Sequence, residues 1–355
     1  MYLKLSSNLK YIFIIIFIFL YNNFNVEYID ERKKIGIIGL EHSQNVGNNL
    51  VKYSISIKLS ELGYIPYIIG KRLRNNNISF IKSMTNLVLI KDFNDIKESD
   101  YDILMVNSDQ TWNVFTRDFY DIAFLKFAEK WKKPKFVFSA SLGFDSWKFN
   151  KTHEKIAKKL LKKFSGISVR ENNSIDLIKK HLGFNAQLTL DPTLLINKKY
   201  YLNLIKSFQS NIIKRINNNE YIFAYILKNT TNLHIYLSQI KKQLNLDIFY
   251  VTVKHKDQVK EFLYGIFNSK AVVTNSFHGT VFSIIFNKPF VTFRKRKGDN
   301  RINNLNEIFN ITDRIIDFNS VPSLSLLNKP LNIDKTKLKL LRKKSISYLK
   351  QNLNY

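Results

Sequence analysis

The stretch AVVTNSFHGTVFSIIFNKPFVTF, residues 271–293, contains a complete β-α-β unit. AVVTN is a β-branched apolar run that predicts a buried strand, and Ser276 and Phe277 follow it as a turn. GTVFSIIF is apolar on all sides, which is typical of a short buried helix, and FVTF predicts the next strand. A strand, a helix and a second strand in this order favour a parallel sheet in an α/β fold.

The same alternation begins at Lys34 and runs through most of the chain. KIGIIGL predicts a strand, the apolar residues from Gly47 to Leu62 recur at helical spacing, and YIPYIIG predicts a second strand. Apolar runs at 102–106, 136–140 and 167–169 alternate with helical patterns, and a second series starts with YIFAYIL. The sequence therefore predicts two α/β halves, each with a parallel sheet.

The length of 355 residues fits two domains with extensions at both ends. We expect a hydrophobic N-terminal extension at residues 1–30 and an N-terminal Rossmann-like domain at 31–205. A C-terminal Rossmann-like domain that contains His278 is expected at 206–330, followed by a basic C-terminal helix at 331–355.

The two ends of the chain differ in composition from the rest. Near the N-terminus, YIFIIIFIFLY has about half the length that an α-helix needs to cross a bilayer. This pattern fits an interfacial anchor, a signal-like segment, or a start codon assigned in error upstream of Lys34. Residues 335–355 contain seven basic side chains and no acidic one. We expect their leucines to pack on the protein and their lysines to face solvent, with membrane contact as the alternative. The leucine stripe consists of Leu338, Leu341, Leu349 and Leu353.

Composition excludes several classes of site. The chain has no cysteine, which excludes disulfides, zinc–thiolate sites and thiol nucleophiles. Its six histidines show no paired spacing, so we expect no built-in metal site. The net charge of +28 fits either a lysine-rich compositional bias with a solvated surface or an anionic partner.

Polar residues follow the predicted strands at the edge of the sheet where ligands of parallel sheets bind. These residues are Ser108, Asp109, Gln110, Ser141 and Arg170. Arg170 suits a bidentate contact with a carboxylate or phosphate, and a surface pair with Glu171 is the alternative. Asp109 suits a proton acceptor or a partner for a sugar hydroxyl, and helix capping is the alternative.

Two predicted helix N-termini are candidates for anion binding. Gly47 opens the first helix, where free backbone N–H groups would face an anion, and a simple tight turn is the alternative. His278 is predicted at the N-terminus of the short buried helix, where it would donate to an anion or act as a general acid–base. A structural role fits this histidine equally well.

Several blocks of the sequence together resemble the polysaccharide pyruvyl transferase family. VNSDQTWN, FSASLG, ISVRE, LDPTLL, TNSFHGTVFSIIFNKPFV and KGDNRINNLNEIF follow one another in that family's order, and the resemblance spans residues 34–315. It implies an α/β fold of two Rossmann-like domains with parallel sheets facing across a cleft, similar to GT-B glycosyltransferases. It also implies a transferase that moves pyruvate from phosphoenolpyruvate to a sugar of a cell-surface glycan or its precursor, as a ketal.

The resemblance also implies roles for individual residues. The expected catalytic residues are His278 in proton transfer or phosphate contact, Arg170 at the donor's carboxylate or phosphate, and Asp109 at the acceptor hydroxyl. Other branches of the family carry an arginine where this chain has Ser276. The expected substrate-binding residues are Asn45, Gly47, Ser108, Gln110, Ser141, Ser276, Gly279, Thr280 and Arg301.

The implied partners are phosphoenolpyruvate and a glycan or lipid-linked sugar acceptor, with contact to a membrane surface and without nucleic acid. No cofactor and no metal are expected, since cations and dipoles can bear the charge of the reaction. Because phosphoenolpyruvate is a cytosolic metabolite, we expect a cytoplasmic protein held at the inner face of the membrane by its N-terminus. Two alternatives stay open: a GT-B-like glycosyltransferase that uses a nucleotide sugar, and a polyanion-binding protein indicated by charge alone.

Overall fold

The computed structural model describes residues 31–40, 45–71, 79–113, 120–206, 220–251, 258–294 and 299–354. The predicted extension at residues 1–30 lies outside the described residues. The strands are β1 Lys34–Ile38, β2 Ile65–Lys71, β3 Asn86–Ile90, β4 Ile103–Val106, β5 Lys135–Ala140, β6 Gly166–Val169, β7 Gln187–Leu188, β8 Tyr221–Tyr225, β9 Asp247–Tyr250, β10 Ala271–Thr274, β11 Phe290–Arg294 and β12 Ile315–Asp317. The α-helices are α1 Val46–Glu61, α2 Ser79–Met84, α3 Tyr120–Ala123, α4 Lys151–Leu161, α5 Asn172–Leu182, α6 Lys198–Lys206, α7 Thr231–Leu244, α8 Gln258–Asn268, α9 Phe277–Phe286, α10 Asn300–Phe309 and α11 Thr336–Leu353.

The described strands form two parallel sheets, which confirms the predicted α/β class. The first sheet has the order β3-β2-β1-β4-β5-β6-β7, and the second has the order β12-β11-β10-β8-β9. In the first sheet the direction of winding reverses between β1 and β4, and in the second it reverses between β8 and β10. Open parallel sheets bind ligands at such reversal points, so each sheet offers one candidate crevice.

Helix α1 begins and ends where its local sequence dictates. The side chain of Asn45 caps the N-terminus by accepting hydrogen bonds from the backbone N–H groups of Gly47 and Asn48. At the C-terminal end Gly63 adopts a φ of +89°, in the left-handed region that glycine enters without strain. Most of the helix is buried, and Ser54 in its middle hydrogen-bonds the hydroxyl of Tyr201.

Three apolar clusters hold the sheets and helices together. The first contains residues from both sheets, among them Phe136 of β5 and Phe223 of β8, and includes α9 through Phe282. The other two each belong to one sheet. Since burying one large apolar side chain contributes roughly 1.5–3 kcal/mol, the shared cluster is a major reason why the two halves stay together.

The C-terminal helix α11 packs on the first sheet although it follows the second in sequence. The Tyr348 hydroxyl donates to the Val137 carbonyl at 2.8 Å, and the Ser345 hydroxyl accepts from the Leu190 N–H at 2.9 Å. The four leucines of the predicted stripe are buried, as expected from their spacing. None of the described helices combines the length and apolar character needed to cross a membrane.

Candidate active site

The reversal points of the two sheets lie next to each other. The Asn48 side-chain amide of α1 is 3.4 Å from Asp109, which follows β4, and Asp109 is 3.7 Å from the Arg170 guanidinium at the end of β6. A Cβ atom added to Gly47 of α1 would overlap the His278 imidazole, so this histidine of the second half rests on the first helix. Candidate residues from both halves therefore form one cluster.

Asp109 occupies a backbone conformation that few non-glycine residues adopt. Its φ is +78°, in the left-handed region, where aspartate is better tolerated than most side chains. Its carbonyl accepts hydrogen bonds from the N–H groups of Thr111 and Ser141, and it pairs with Ala140 of β5. Such strained conformations concentrate at functional sites and persist only where the surrounding structure fixes them.

Arg170 is buried and its guanidinium is surrounded by carboxylates. Nε lies 3.2 Å from Glu171 Oε1, Nη1 lies 2.6 Å from Asp191 Oδ2, and the guanidinium carbon stands 4.3 Å from the centre of the Phe277 ring. Burial lowers the pKa of Arg170, but the charges of Asp191, Glu171 and Asp109 outweigh it and hold the pKa above its usual value. The Arg170–Glu171 pair, which the sequence offered as an alternative surface contact, is present, but both side chains are buried. Nη2 is the one guanidinium nitrogen without a hydrogen bond to the described residues, and the contact of Arg170 with a carboxylate or phosphate stays a prediction.

Asp191 links Arg170 to His278 and was not among the residues predicted from the sequence. Its Oδ2 is 2.6 Å from Arg170 Nη1 and 3.6 Å from His278 Nε2, just beyond hydrogen-bond distance, while its Oδ1 accepts from Thr193. Burial raises the pKa of Asp191, but the neighbouring His278 and Arg170 outweigh it and hold the pKa well below its usual range. Asp191 thus stays ionised and connects the two halves at the site.

His278 is the second residue of α9, so the prediction that it lies at a helix N-terminus is confirmed. The helix starts at Phe277 rather than at Gly279, because Ser276 takes the extended conformation of an N-cap. The imidazole is buried at 6% exposure, yet Nε2 forms no hydrogen bond to the described residues. A buried nitrogen without a hydrogen bond calls for an explanation, and contact with a bound ligand is one.

Buried polar atoms without partners among the described residues concentrate around this cluster. Most buried polar atoms in folded proteins are hydrogen-bonded, so a group of orphaned atoms in one place indicates a ligand site. Asn304 belongs to the group because its amide donates to the Arg170 carbonyl at 2.9 Å. The orphaned atoms here are Asn48 Oδ1, Asn107 Oδ1, Ser108 Oγ, Ser141 Oγ, Arg170 Nη2, His278 Nε2 and Asn304 Oδ1.

The predicted anion site at the start of α1 is wrong. Asn45 Oδ1 already accepts from the backbone N–H groups of Gly47 and Asn48, so these donors do not face a ligand. Asn45 itself acts as a helix cap. Gly47 is required for a different reason, because its missing side chain leaves room for His278.

Three predicted residues around α9 differ in their surroundings. The Thr280 hydroxyl bonds the Ser276 carbonyl and the Thr292 hydroxyl and is fully buried, so its predicted substrate contact is wrong for this conformation. Gly279 packs against the Thr274 side chain, where a Cβ would overlap it, which makes it a packing residue. Ser276 makes no capping hydrogen bond through its side chain to the described residues, and it stays a substrate-binding prediction.

Two predicted residues lie at the margin of the site. Gln110 is half-buried and accepts from the Asn113 amide at 2.8 Å beside Gly143, whose φ is +71°. Arg301 pairs with Asp299 and lies three residues before Asn304, on the same side of α10. Residues 295–298, which include the start of the block KGDNRINNLNEIF, lie outside the described residues.

Replacing Asp191 by asparagine should destabilise the protein at neutral pH, because breaking a buried ion pair costs roughly 3–5 kcal/mol. The folded-state pKa of Asp191 is depressed, so its stabilisation is present above an unfolded pKa of about 3.9 and is lost as the pH falls below that value. The difference between wild type and Asp191→Asn in urea unfolding should therefore shrink from pH 7 toward pH 3. A difference that stays constant with pH would contradict this assignment. Asp313→Asn, at an exposed pair with Lys329, is the matched control and should have little effect.

The structure is similar to several solved enzymes that bind UDP-sugars. UDP-GlcNAc 2-epimerase from Neisseria meningitidis, bound to UDP-GlcNAc, superposes with a TM-score of 0.57 at 12% identity, covering 90% of this chain and 100% of that one. UDP-N-acetylglucosamine 2-epimerase from Rickettsia bellii superposes with a TM-score of 0.56 at 12% identity, covering 92% of this chain and 98% of that one. Arabidopsis thaliana UGT89C1 complexed with UDP-L-rhamnose superposes with a TM-score of 0.52 at 10% identity, covering 91% of this chain and 98% of that one. At such identities the similarity establishes the fold alone, and it confirms the predicted GT-B-like class.

Sequence comparison is more specific about the family. No protein of curated function matches the chain significantly. A family model described as polysaccharide pyruvyl transferase matches residues 45–294, from the cap of α1 to the end of β11, and this range contains Asp109, Arg170 and His278. Because the match covers most of the chain, the protein belongs to the polysaccharide pyruvyl transferase family.

Proposed function

We propose that the protein transfers pyruvate from phosphoenolpyruvate to two hydroxyls of a glycan sugar, as a ketal. The observation that carries the proposal is the group of orphaned buried polar atoms around His278 and Arg170 at the adjoining reversal points of the sheets. Family membership supports a transferase. The fold does not separate this reaction from nucleotide-sugar transfer, because GT-B-like folds carry many activities.

The reaction requires a proton donor, a proton acceptor and an anion contact. A proton adds to the methylene carbon of phosphoenolpyruvate, the first sugar hydroxyl attacks the neighbouring carbon, and phosphate leaves with its bridging oxygen. The second hydroxyl then attacks the same carbon. Of the two hydroxyl protons released, one balances the new methyl group and the other ends on phosphate.

The described residues suit these roles. The His278 imidazole, whose Nε2 lies 3.6 Å from Asp191 Oδ2 and forms no hydrogen bond to the described residues, would deliver the proton or contact the phosphate, and Asp191 would hold the ring in place. Arg170 would contact the donor through Nη2, which has no hydrogen bond to the described residues. Asp109, next to the orphaned hydroxyls of Ser108 and Ser141, would accept the proton of the attacking sugar hydroxyl.

Ligand stabilisation distinguishes the proposed donor from the nucleotide-sugar alternative. At about 100 times its Kd, phosphoenolpyruvate should stabilise the protein by ~2.7 kcal/mol and raise its Tm by several degrees. UDP-sugars should leave the Tm unchanged. Stabilisation by UDP-sugars and not by phosphoenolpyruvate would favour the glycosyltransferase.

A further inference from the structure

A cavity of about 670 Å³ opens beside β2 and β3, and its described walls contain none of the candidate catalytic residues. One wall is formed by Lys71 at the end of β2 and by residues 92–94, which follow β3. The other wall is formed by residues 121–131, between the start of α3 and β5. Its volume lies within the range of about 300–1,000 Å³ that is typical of small-molecule sites.

A row of aromatic rings lines this cavity. The centroids of Phe93 and Phe127 are 5.6 Å apart, and Trp131 stands edge-on to Phe127 at 5.7 Å. Phe127 and Trp131 are partly exposed, and the Trp131 indole N–H donates to none of the described residues. An aromatic surface with a polar handle suits a ligand that has an apolar face and a hydroxylated rim.

Charged groups border the aromatic row. Asp92 is 3.6 Å from Lys71 and accepts hydrogen bonds from the backbone and the side chain of Asn94. The backbone hydrogen bond from Asn94 lowers the pKa of Asp92, which keeps the carboxylate ionised. On the opposite wall Asp121 pairs with Lys126 at 2.7 Å. The described lining carries three lysines, Lys71, Lys126 and Lys130, against three carboxylates, Asp92, Asp121 and Glu129. Carboxylates accept hydrogen bonds from hydroxyls and ammonium groups donate to them, so a rim without net charge suits a neutral, hydroxylated ligand such as a saccharide.

The cavity begins on the same sheet edge as the candidate active site. In the strand order β3-β2-β1-β4, β2 and β3 are two and three strands away from the strand that precedes Asp109. At a strand spacing of about 4.8 Å this separation is roughly 10–15 Å. One sugar of a glycan at Asp109 would leave neighbouring sugars of the same chain within reach of the end of the cavity that Lys71 and Asp92 form.

We propose that the cavity lined by Phe93, Phe127 and Trp131 is an acceptor subsite that binds sugars of the glycan next to the one that receives the pyruvate. This assignment rests on the proposed function for the identity of the transfer reaction, but saccharide binding at the cavity is measurable without it. The protein is therefore selective for an oligosaccharide over the free monosaccharide. Trp131 acts in binding and not in the chemical step.

The test uses the full chain and oligosaccharides from the producing organism's surface glycan. Mild acid releases these oligosaccharides and also removes their ketals, and they are then separated by size. Calorimetry without donor should show that the wild-type chain binds the tetrasaccharide. The Trp131→Ala variant should bind it about tenfold or more weakly, which corresponds to a loss of roughly 1.4 kcal/mol of binding free energy. Trp131→Phe should retain part of the affinity. Tyr250→Ala, at an exposed ring outside the described cavity walls, is the control and should bind like wild type. Asp92→Asn, on the opposite wall, provides a second variant should Trp131→Ala fold poorly, and it should also weaken binding.

In the transfer assay Trp131→Ala should raise KM for the tetrasaccharide and leave kcat and KM for phosphoenolpyruvate near wild type. Equal tetrasaccharide affinity in wild type, Trp131→Ala and Asp92→Asn, or no binding to wild type, would overturn the subsite. Tetrasaccharide binding that depends on Trp131, together with an absence of pyruvyl transfer, would support the subsite and refute the proposed reaction. The two proposals therefore fail on different measurements.

Discussion

The His278→Gln variant should fold normally and lose about 10²–10⁴-fold in kcat for phosphate release with phosphoenolpyruvate and acceptor present. Glutamine fills much of the imidazole's space and retains polar atoms, but it cannot exchange a proton at neutral pH. The loss should appear in kcat because the ring acts on the reacting atoms. Circular dichroism and urea unfolding should place its stability close to that of wild type.

The control for this variant is His234→Gln, which changes an exposed histidine in the first turn of helix α7 in the second half. That variant should retain wild-type kcat and KM. Wild-type phosphate release by His278→Gln would show that the buried imidazole is structural. The proton would then come from another group, and the central role assigned to this residue would be wrong.

The Gly47→Ala variant should destabilise the protein and lower its activity, because the added methyl group would overlap the His278 ring. Overpacking of a well-packed site costs roughly 1–3 kcal/mol. The displaced ring would lose its position beside Asp191, so kcat should fall together with stability. Gly70→Ala is the matched control, since a Cβ at Gly70 has no described neighbour within 4 Å, and it should behave like wild type.

A double-mutant cycle identifies the partner of the clash. In the His278→Ala background the ring is absent, so Gly47→Ala should cost little or even stabilise helix α1, because alanine favours helix over glycine by about 1 kcal/mol. The coupling between the two positions, measured by urea unfolding, should therefore be large. Equal costs of Gly47→Ala in both backgrounds would show that the imidazole does not rest on Gly47.

Most of the fold was predictable because most of its strands and helices are encoded locally. The apolar runs and helical spacings predicted the parallel sheets and placed Asp109, Arg170 and His278 at strand ends or helix starts. Three edge strands, β3, β7 and β12, were missed. In β7 and β12, two or three residues without alternation carry little pattern, whereas the apolar run NLVLI of β3 was a signal that the prediction overlooked. The cap at Asn45 was missed although an asparagine before a helix is a known signal, and this omission produced the wrong anion site at Gly47.

Asp191 could not be assigned from the sequence alone. Its local context, Asp-Pro-Thr, predicts a capped turn, and the structure contains that turn. Its second role depends on contacts with Arg170 and His278, which are 21 and 87 residues away in the chain. Only the packing of the two sheets brings the three residues together, and no spacing rule encodes that arrangement. The same holds for the cavity at Trp131, whose aromatic residues come from separate segments.

The most direct test of the proposed reaction is to incubate the purified chain with phosphoenolpyruvate carrying an isotopic label in its pyruvate carbons and with the acid-treated glycan. We predict a labelled ketal on the glycan by NMR and mass spectrometry, with one phosphate released per ketal, and both products formed about 10²–10⁴-fold more slowly with His278→Gln. Absence of a labelled ketal from the wild-type reaction, together with sugar transfer from a nucleotide sugar, would contradict the account.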